Sequence, residues 1–198
     1  MKPPRLLLAS ASPRRRDLLA EHGYRFEVAP AAIVEVAPPH LSPGETVLLN
    51  ARRKACAAAR VHPDALVVGA DTIVAFEGQL LGKPADFQEA WAMLSALNGT
   101  VHEVFSGVCL VLSSARKERT FIEVTRVHFH RRSAAELRAY LARIEPLDKA
   151  GAYAAQADEG MMIARVEGSY SNVIGLPMEA LARELAAFGC LPDAQPEA

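Results

Sequence analysis

An α/β fold with a mixed sheet is the expectation for this chain of 198 residues. Segments typical of strands and helices alternate in the first half, as they do in strand–helix–strand units. Two long strand-like segments, residues 101–112 and 120–129, then follow each other and are joined by a charged turn. The length suits one sizeable domain, and neither an internal repeat nor a low-complexity linker divides it. We therefore expect one domain over residues 1–190 and a loose tail at residues 191–198.

Composition and charge exclude several classes of protein. Hydrophobic residues make up 51% of the chain and charged residues 23%, which is typical of an ordinary globular protein. The net charge of −1 argues against broad electrostatic binding to nucleic acid or to an anionic membrane. No apolar run reaches the roughly 20 residues that a membrane-spanning helix needs. Three cysteines without paired spacing, Cys56, Cys109 and Cys190, indicate a reducing compartment, and the cytoplasm is expected.

The N-terminal segment predicts a strand, a loop and a helix. Residues 5–9 predict a strand with an apolar core, Ser12 and Pro13 are a typical helix start, and Gly23 is a typical stop. Such an opening directs backbone N–H groups and the positive end of the helix dipole at an anion. Hydroxyl and guanidinium groups follow in the loop and first turn, at Ser10, Arg14, Arg15 and Arg16. These groups fit an anion site, and they equally fit a capped helix with a solvated basic face.

A second strand and a proline-rich loop come next. Residues 24–29 predict the strand, and Glu35 is the only acid in the loop at residues 30–43. Loops of this length inside a compact domain are typically functional or mobile.

A long alanine-rich helix is expected after this loop and runs to about residue 61. Ser42 and Glu45 form the capping-box pattern that starts it. Three consecutive cations lie on this helix, at Arg52, Arg53 and Lys54. They cover most of its circumference, so one can face inward, but spacing alone does not say which.

The clearest indication of chemistry lies in residues 67–84, VVGADTIVAFEGQLLGKP. Its apolar run is typical of a buried strand, and Asp71 interrupts that run. A buried carboxylate has a large desolvation cost, so a metal, a cation or several donors must hold it. A tight turn is expected at Glu77 and Gly78, and Lys83 lies where the chain folds back. An acid and a base brought together by a hairpin suit phosphate chemistry with a divalent ion.

The remaining segments predict two more capped helices, two loops and a final helix. Asp86 and Ser133 are each followed three residues later by a glutamate, which is typical of a helix start. Residues 145–156 and 168–177 have the composition of loops, and an amphipathic helix is expected over residues 178–188.

Several of these segments together match one family. The chain contains, in order over about residues 5–185, the segments LLLASASPRRRDLL, RRKA, VVGADTIV with LLGKP, EPLDKAGAY and GSYSNVIGLP. Each segment is weak alone, but the set in this order resembles the Maf family of nucleoside triphosphate pyrophosphatases. The resemblance implies an elongated, two-lobed α/β fold with a mixed central sheet, similar to the inosine triphosphatases. It also implies hydrolysis of a nucleoside triphosphate between the α- and β-phosphates with a divalent cation, Mg²⁺ or Mn²⁺, and a homodimer is common in the family.

The resemblance assigns roles to individual residues. Asp71 matches the family's catalytic acid, which is a general base or a metal-held carboxylate. The family's phosphate-binding positions correspond to Ser10, Arg15, Lys54 and Lys83. Glu35 aligns with an acid in the loop after the second strand, where many members have two adjacent acids. Because Val34 replaces the first of them here, Glu35 remains as the metal ligand expected beside Asp71.

Three further positions separate two branches of the family. The branch acting on dTTP and UTP has Arg, Thr and Gln where the branch acting on 7-methyl-GTP has Trp, Gln and Glu. This chain has Arg14, Thr72 and Gln156. A neutral amide both donates and accepts hydrogen bonds, which suits a uracil or thymine edge, whereas a glutamate only accepts. The resemblance therefore implies a dTTP/UTP pyrophosphatase.

Two alternatives stay open at this point. One is the same reaction on 7-methyl-GTP or on a modified pyrimidine triphosphate. The other is a regulatory binding protein, because the family name is linked to septum formation and cell-division arrest. The near-neutral charge and the lack of aromatic residues among the Arg and Lys clusters count against nucleic acid as its partner.

Overall fold

The structure, a computed structural model, describes residues 3–193. Its strands β1 to β7 are Arg5–Leu8, Glu27–Val28, Ala65–Phe76, Gln79–Leu81, Val101–Leu112, Lys117–Phe129 and Ile163–Glu167. Its α-helices α1 to α6 are Pro13–Glu21, Pro43–Val61, Phe87–Leu97, Ala134–Arg143, Tyr170–Ile174 and Met178–Ala187. Short 3₁₀ turns occur at Ser113–Ala115, Pro146–Asp148, Ala150–Ala152 and Ala155–Ala157.

All of these strands belong to one mixed sheet, which confirms the predicted α/β class. The strand order is β2-β1-β3-β5-β6-β7, and β4 pairs with β3 outside this path. Strand β1 lies parallel to both β2 and β3, with Leu7 opposite Val67. Strands β3 and β4 are antiparallel, as are β6 and β7.

The chain divides into two compact units. The first unit contains the described residues up to Asp71, residues Ser106–Glu123 and the described residues from Gly175 to Asp193. One cluster of its core has mostly small apolar side chains from β1 and the residue after it, α2, β3 and β5, namely Leu7, Ala9, Ala51, Ala55, Ala58, Ala59, Ala65, Val67, Cys109 and Val111. Small side chains let α2 lie close to the strands. Gly69 and Gly107 are the closest points, since an added Cβ would lie 2.3 Å from the Ala51 carbonyl oxygen and 2.6 Å from the Leu48 nitrogen, respectively.

The second unit contains Thr72–Phe105 and Val124–Ile174. Its core has larger side chains, and His102, Phe129 and Tyr153 form a set of edge-to-face rings with centroids 4.7–5.3 Å apart. The Nε2 atom of His102 lies 3.0 Å from the Tyr153 hydroxyl oxygen. Burial lowers the pKa of His102 to about 4, so its ring is neutral at neutral pH.

The predicted helix starts and the predicted hairpin are confirmed. Ser42 and Ser133 each form a complete capping box with the glutamate three residues later, and the Asp86 carboxylate accepts from the Glu89 N–H. Glu77 and Gly78 have φ values of 48° and 78° and join β3 to the antiparallel β4. Positive φ at both central residues is what a tight two-residue hairpin requires.

Other local predictions were incomplete or wrong. The second strand is only Glu27–Val28, β6 starts three residues earlier than predicted, and β7 was not predicted. The predicted loop at residues 168–177 contains α5. Ser12 lies at the N-cap of α1, but its hydroxyl makes no cap bond; its backbone N–H donates instead to the Ser10 hydroxyl.

The domain limits and the loose tail stay predictions. Within the predicted tail, the backbone N–H of Asp193 donates to the Gly23 carbonyl, and residues 194–198 lie outside the described part of the chain. From residue 3 to residue 193, no helix combines the length and the apolar composition that crossing a membrane requires.

Candidate active site

Asp71 is a buried carboxylate in β3, as predicted, and is 4% exposed. The Lys54 ammonium donates to its Oδ1 at 2.7 Å, and the side-chain amide of Asn50 donates to its Oδ2 at 3.0 Å. A cation and a neutral donor therefore offset the desolvation cost of this carboxylate.

Lys54 is the inward-facing cation of the three on α2. Its ammonium lies 2.7 Å from Asp71 Oδ1, 2.6 Å from Glu35 Oε1 and 3.1 Å from the Ala70 carbonyl oxygen. An ammonium has three donors, so these three acceptors use all of them. Arg52 instead pairs with Glu118 at the surface, at 2.6 Å. The structure thus resolves the choice that spacing left open.

Glu35 reaches the same ammonium from the proline-rich loop. Its side chain is 51% exposed, so this carboxylate faces solvent on one side while it pairs with Lys54 on the other. Helix α2 holds the loop on both sides of Glu35, because Asn50 bonds to the backbone of Val36 and Arg53 donates to the Val34 carbonyl at 2.8 Å.

Arg15 ties the loop after β1 to the segment around Asp71. Arg15 is 9% exposed, and its guanidinium donates to the Ser10 hydroxyl at 3.2 Å, to the Ala70 carbonyl at 2.9 Å and to the Gly175 carbonyl at 2.8 Å. Burial lowers the pKa of Arg15 from its ordinary value, and the charges of Asp71 and Glu35 oppose that shift. The Ala70 carbonyl therefore accepts from both buried cations, Arg15 and Lys54.

The structure thus brings five of the predicted site residues into one network in the first unit: Ser10, Arg15, Glu35, Lys54 and Asp71. Two cations balance two carboxylates there. Arg14 lies beside Arg15 on α1 and is half-buried.

The other three predicted residues belong to the second unit. Thr72 directly follows Asp71 in β3, Lys83 is exposed in the turn after β4, and Gln156 is exposed in the 3₁₀ turn Ala155–Ala157. Their roles in substrate binding stay predictions.

One residue of the network was missed by sequence reasoning. Asn50 is 2% exposed and contacts Asp71 directly. A polar residue at the core-facing side of an alanine-rich helix was the available signal, and its spacing of four from Lys54 places both side chains on one face.

The two carboxylates fit a divalent cation. Asp71 and Glu35 converge on the Lys54 ammonium at 2.7 and 2.6 Å, so the two carboxylates lie close enough together to bind one cation. Mg²⁺ usually takes one or two carboxylates and completes its shell with waters and substrate phosphates, so a third carboxylate is not needed. Accordingly, no cluster of three or more His, Cys, Asp or Glu side chains that could hold a metal occurs within residues 3–193.

Comparison with known proteins identifies the family of this chain. Residues 5–188 match the family described as Maf-like protein. The chain is 47% identical over 184 residues to a protein of Pelotomaculum thermopropionicum named dTTP/UTP pyrophosphatase, an alignment that covers 93% of this chain and 96% of that protein. A protein of the same name from Myxococcus xanthus is 49% identical over 175 residues, or 87% of each chain. A third, from Carboxydothermus hydrogenoformans, is 42% identical over 185 residues and covers 93% of this chain and 99% of that protein. The match to the family over nearly the whole chain confirms the resemblance seen in the motifs: this chain belongs to the Maf family.

Proposed function

We propose that this chain is a nucleoside triphosphate pyrophosphatase that hydrolyses dTTP and UTP to the monophosphate and pyrophosphate. The observation that carries the proposal is the convergence of Asp71 and Glu35 on the Lys54 ammonium, beside the loop that Arg15 and Ser10 hold. The relatives' printed name, dTTP/UTP pyrophosphatase, supports the substrate and the reaction.

Asp71 and Glu35 would hold a divalent cation, Mg²⁺ or Mn²⁺. When bound, such a cation supplies positive charge to the polyphosphate and lowers the pKa of water at the site. The choice between the two metals belongs to experiment.

Asp71 is the general base in this proposal. A carboxylate has about four lone-pair sites, and Lys54 and Asn50 use one on each oxygen. Acceptor capacity therefore remains for the proton of the water that attacks the α-phosphorus. Burial favours this role, because a charge held in a site with little water acts more strongly on a neighbouring proton.

The cations neutralise the charge that builds on the departing pyrophosphate. Without substrate, Arg15 and Lys54 are balanced by the two carboxylates. A triphosphate adds several negative charges, so a divalent cation and Lys83 are needed in addition to the two buried cations. The serine hydroxyl and backbone N–H groups of the loop at residues 10–13 add donors aimed at phosphate oxygens.

We assign recognition of the substrate's nucleobase to Arg14, Thr72 and Gln156. Gln156 offers both a donor and an acceptor, which pair with the N3–H and a carbonyl of uracil or thymine. Modified pyrimidine triphosphates that keep this edge are further candidate substrates. A homodimer and a cytoplasmic location are also part of the proposal, and both come from the sequence expectations.

A panel of nucleoside triphosphates assayed for pyrophosphate release tests the proposal. We expect turnover of dTTP and UTP with Mg²⁺ or Mn²⁺, and loss of turnover in Asp71→Asn while the fold is retained. Asp64→Asn is the matched control, because Asp64 is exposed at the other end of β3. Preferential turnover of 7-methyl-GTP would contradict the substrate assignment. Salt-dependent DNA binding without any nucleotide turnover would instead support the regulatory alternative.

A further inference from the structure

Three residues of α2 contact three consecutive residues of the proline-rich loop. Arg53 donates to the Val34 carbonyl at 2.8 Å, Lys54 pairs with Glu35 at 2.6 Å, and Asn50 bonds to Val36. Positions 50, 53 and 54 have the spacing of one helix face. One face of α2 therefore determines where the backbone around Glu35 lies.

Asn50 makes the most complete set of these contacts. Its Oδ1 accepts from the Val36 N–H at 3.0 Å, while its Nδ2 donates to the Val36 carbonyl at 2.9 Å and to Asp71 Oδ2 at 3.0 Å. Both donor hydrogens are thus used. The orientation of the amide is also determined, because a flip would place the NH₂ group against the Val36 N–H.

The loop itself offers little else to hold this segment. It contains neither helix nor strand from residue 29 to residue 41. Its own backbone bonds lie on either side of Val36, from Ile33 N–H to the Ala31 carbonyl and from Leu41 N–H to the Pro38 carbonyl. The side chain of Asn50 therefore bonds to both backbone polar groups of Val36, as a neighbouring strand would.

We propose that Asn50 is a positioning residue that fixes Glu35 relative to Asp71, so that both carboxylates reach one cation. A buried side-chain amide has a desolvation cost that an apolar residue at this position would avoid. Its three bonds offset that cost, and two of them go to the residue beside Glu35 while the third goes to Asp71. The expected effect of Asn50 on catalysis rests on the proposed function. Its effect on the positions of Val36 and Glu35 relative to Asp71 does not.

Asn50→Leu is the first test variant, because leucine has a similar size and removes all three bonds. Asn98→Leu is its matched control. Asn98 makes the same paired contact with a distant loop, donating to the Arg132 carbonyl at 2.9 Å and accepting from the Arg132 N–H at 2.8 Å. It belongs to the second unit and makes none of the site contacts described above. Circular dichroism establishes that each variant is folded.

Asn50→Asp is the second variant and carries the test if the leucine variant does not fold. Aspartate has the shape of asparagine and can still accept from the Val36 N–H. It cannot donate to the Val36 carbonyl or to Asp71. This variant therefore keeps the link to the Val36 N–H, removes the links to the Val36 carbonyl and to Asp71, and replaces the attraction to Asp71 with repulsion between two carboxylates.

Three measurements report on the inference: hydrogen exchange of the Val36 amide by NMR, Mn²⁺ affinity by calorimetry without nucleotide, and kcat and KM for UTP. Removal of a side chain that orients metal ligands costs about 10- to 100-fold in metal affinity or activity. In Asn50→Leu we expect that loss in Mn²⁺ affinity and in kcat, and an acceleration of Val36 exchange by about 10-fold or more. KM at saturating Mn²⁺ should change little, because Arg15 and Ser10 are untouched. Asn50→Asp should keep slow Val36 exchange and still lose about 10-fold or more in kcat.

The results separate this inference from the proposed function. Unchanged Val36 exchange, or wild-type Mn²⁺ affinity and kcat, in a folded Asn50→Leu protein would overturn it, and so would the same losses in Asn98→Leu. A wild-type kcat in Asn50→Asp would contradict a role for the hydrogen bond between Asn50 and Asp71. If the wild-type chain releases no pyrophosphate, the proposed function fails, while the Val36 exchange and Mn²⁺ measurements still decide the role of Asn50.

Discussion

Gly69 sets how closely α2 approaches the strand that carries Asp71, and Gly69→Ala is the most direct perturbation of the site's framework. An alanine Cβ at this position would lie 2.3 Å from the Ala51 carbonyl oxygen and 2.6 Å from the Ala55 nitrogen. Both are backbone atoms of α2, so no side chain can rotate away. The helix as a whole must withdraw.

The size of the effect follows from these distances. Ordinary contact begins near 3.4 Å, so α2 must move by about 1 Å at Ala51. Overpacking of this kind costs about 1–3 kcal/mol, and the reduced entropy of the unfolded chain returns about 0.4–1 kcal/mol. For a chain of this length each kcal/mol lowers Tm by about 2–4 °C. We therefore expect Tm to fall by up to about 10 °C.

Activity should fall more steeply than stability. Asn50 and Lys54 lie on the displaced helix, and both donate to Asp71. A misplacement of about 1 Å can cost about 100-fold in rate. We expect a loss of kcat for UTP of about 10- to 100-fold in Gly69→Ala.

Thermal unfolding and steady-state kinetics measure the two effects. Gly82→Ala is the control for stability, because its added Cβ would meet no heavy atom within 4 Å. Gly107→Ala tests the close approach of α2 to the sheet at a second point, since its Cβ would lie 2.7 Å from the Val47 carbonyl oxygen of α2. Wild-type Tm and kcat in Gly69→Ala would refute the close approach of helix and strand on which this reasoning depends.

Three further predictions concern specificity, pH and helix capping. Arg14→Trp combined with Thr72→Gln and Gln156→Glu should lower dTTP and UTP turnover; an unchanged triphosphate panel would refute the assignment of these positions. Burial lowers the pKa of His102 from 6.5 to about 4, so the unfolded chain binds more protons in that range. The free energy of unfolding should then decrease as the pH falls from about 6.5 to about 4, by up to about 3 kcal/mol. In His102→Gln the free energy of unfolding, measured with urea, should decrease less over the same pH range. A decrease equal to that of the wild type would exclude His102 as its source. Ser133→Ala removes the capping box of α4 and should cost about 1 kcal/mol, seen as a Tm lower by about 2–4 °C with unchanged UTP turnover; an unchanged Tm would count against the cap.

Local signals in the sequence predicted the parts of the fold that local chemistry determines. The capping boxes and the turn at Glu77 and Gly78 depend on residues within three or four positions of each other, and they formed as expected. Strand β7, Ile163–Glu167, gave no such signal. Its five residues have no buried side chain, so the sequence lacks the apolar alternation by which a strand is recognised. Its pairing with β6 determines it instead.

The site was predictable where a single residue conflicts with its surroundings. Asp71 stands out because a carboxylate interrupts an apolar strand, and the cost of burying it already required a cation or several donors. The identity of those donors was beyond the local sequence, since Lys54, Asn50 and Asp71 meet only when α2 packs on β3. Glu35 was assigned through the family resemblance, because nothing in a proline-rich loop states where an acid will point.

The choice among the three consecutive cations of α2 depends on which face of the helix packs on the sheet. Val47, Ala51 and Ala58 are buried, and their spacing defines the face of the helix that packs on the sheet. Positions 50 and 54 fall within that stripe, whereas Arg52 and Arg53 fall beside it. Asn50 and Lys54 are two of the polar residues buried on this helix. Buried polar groups generally need hydrogen-bond partners, and a buried aspartate in a neighbouring strand is such a partner. Asn50 and Lys54 therefore belong to the site for the same physical reason as Asp71: each is a buried polar group whose desolvation cost is offset by hydrogen bonds within this set.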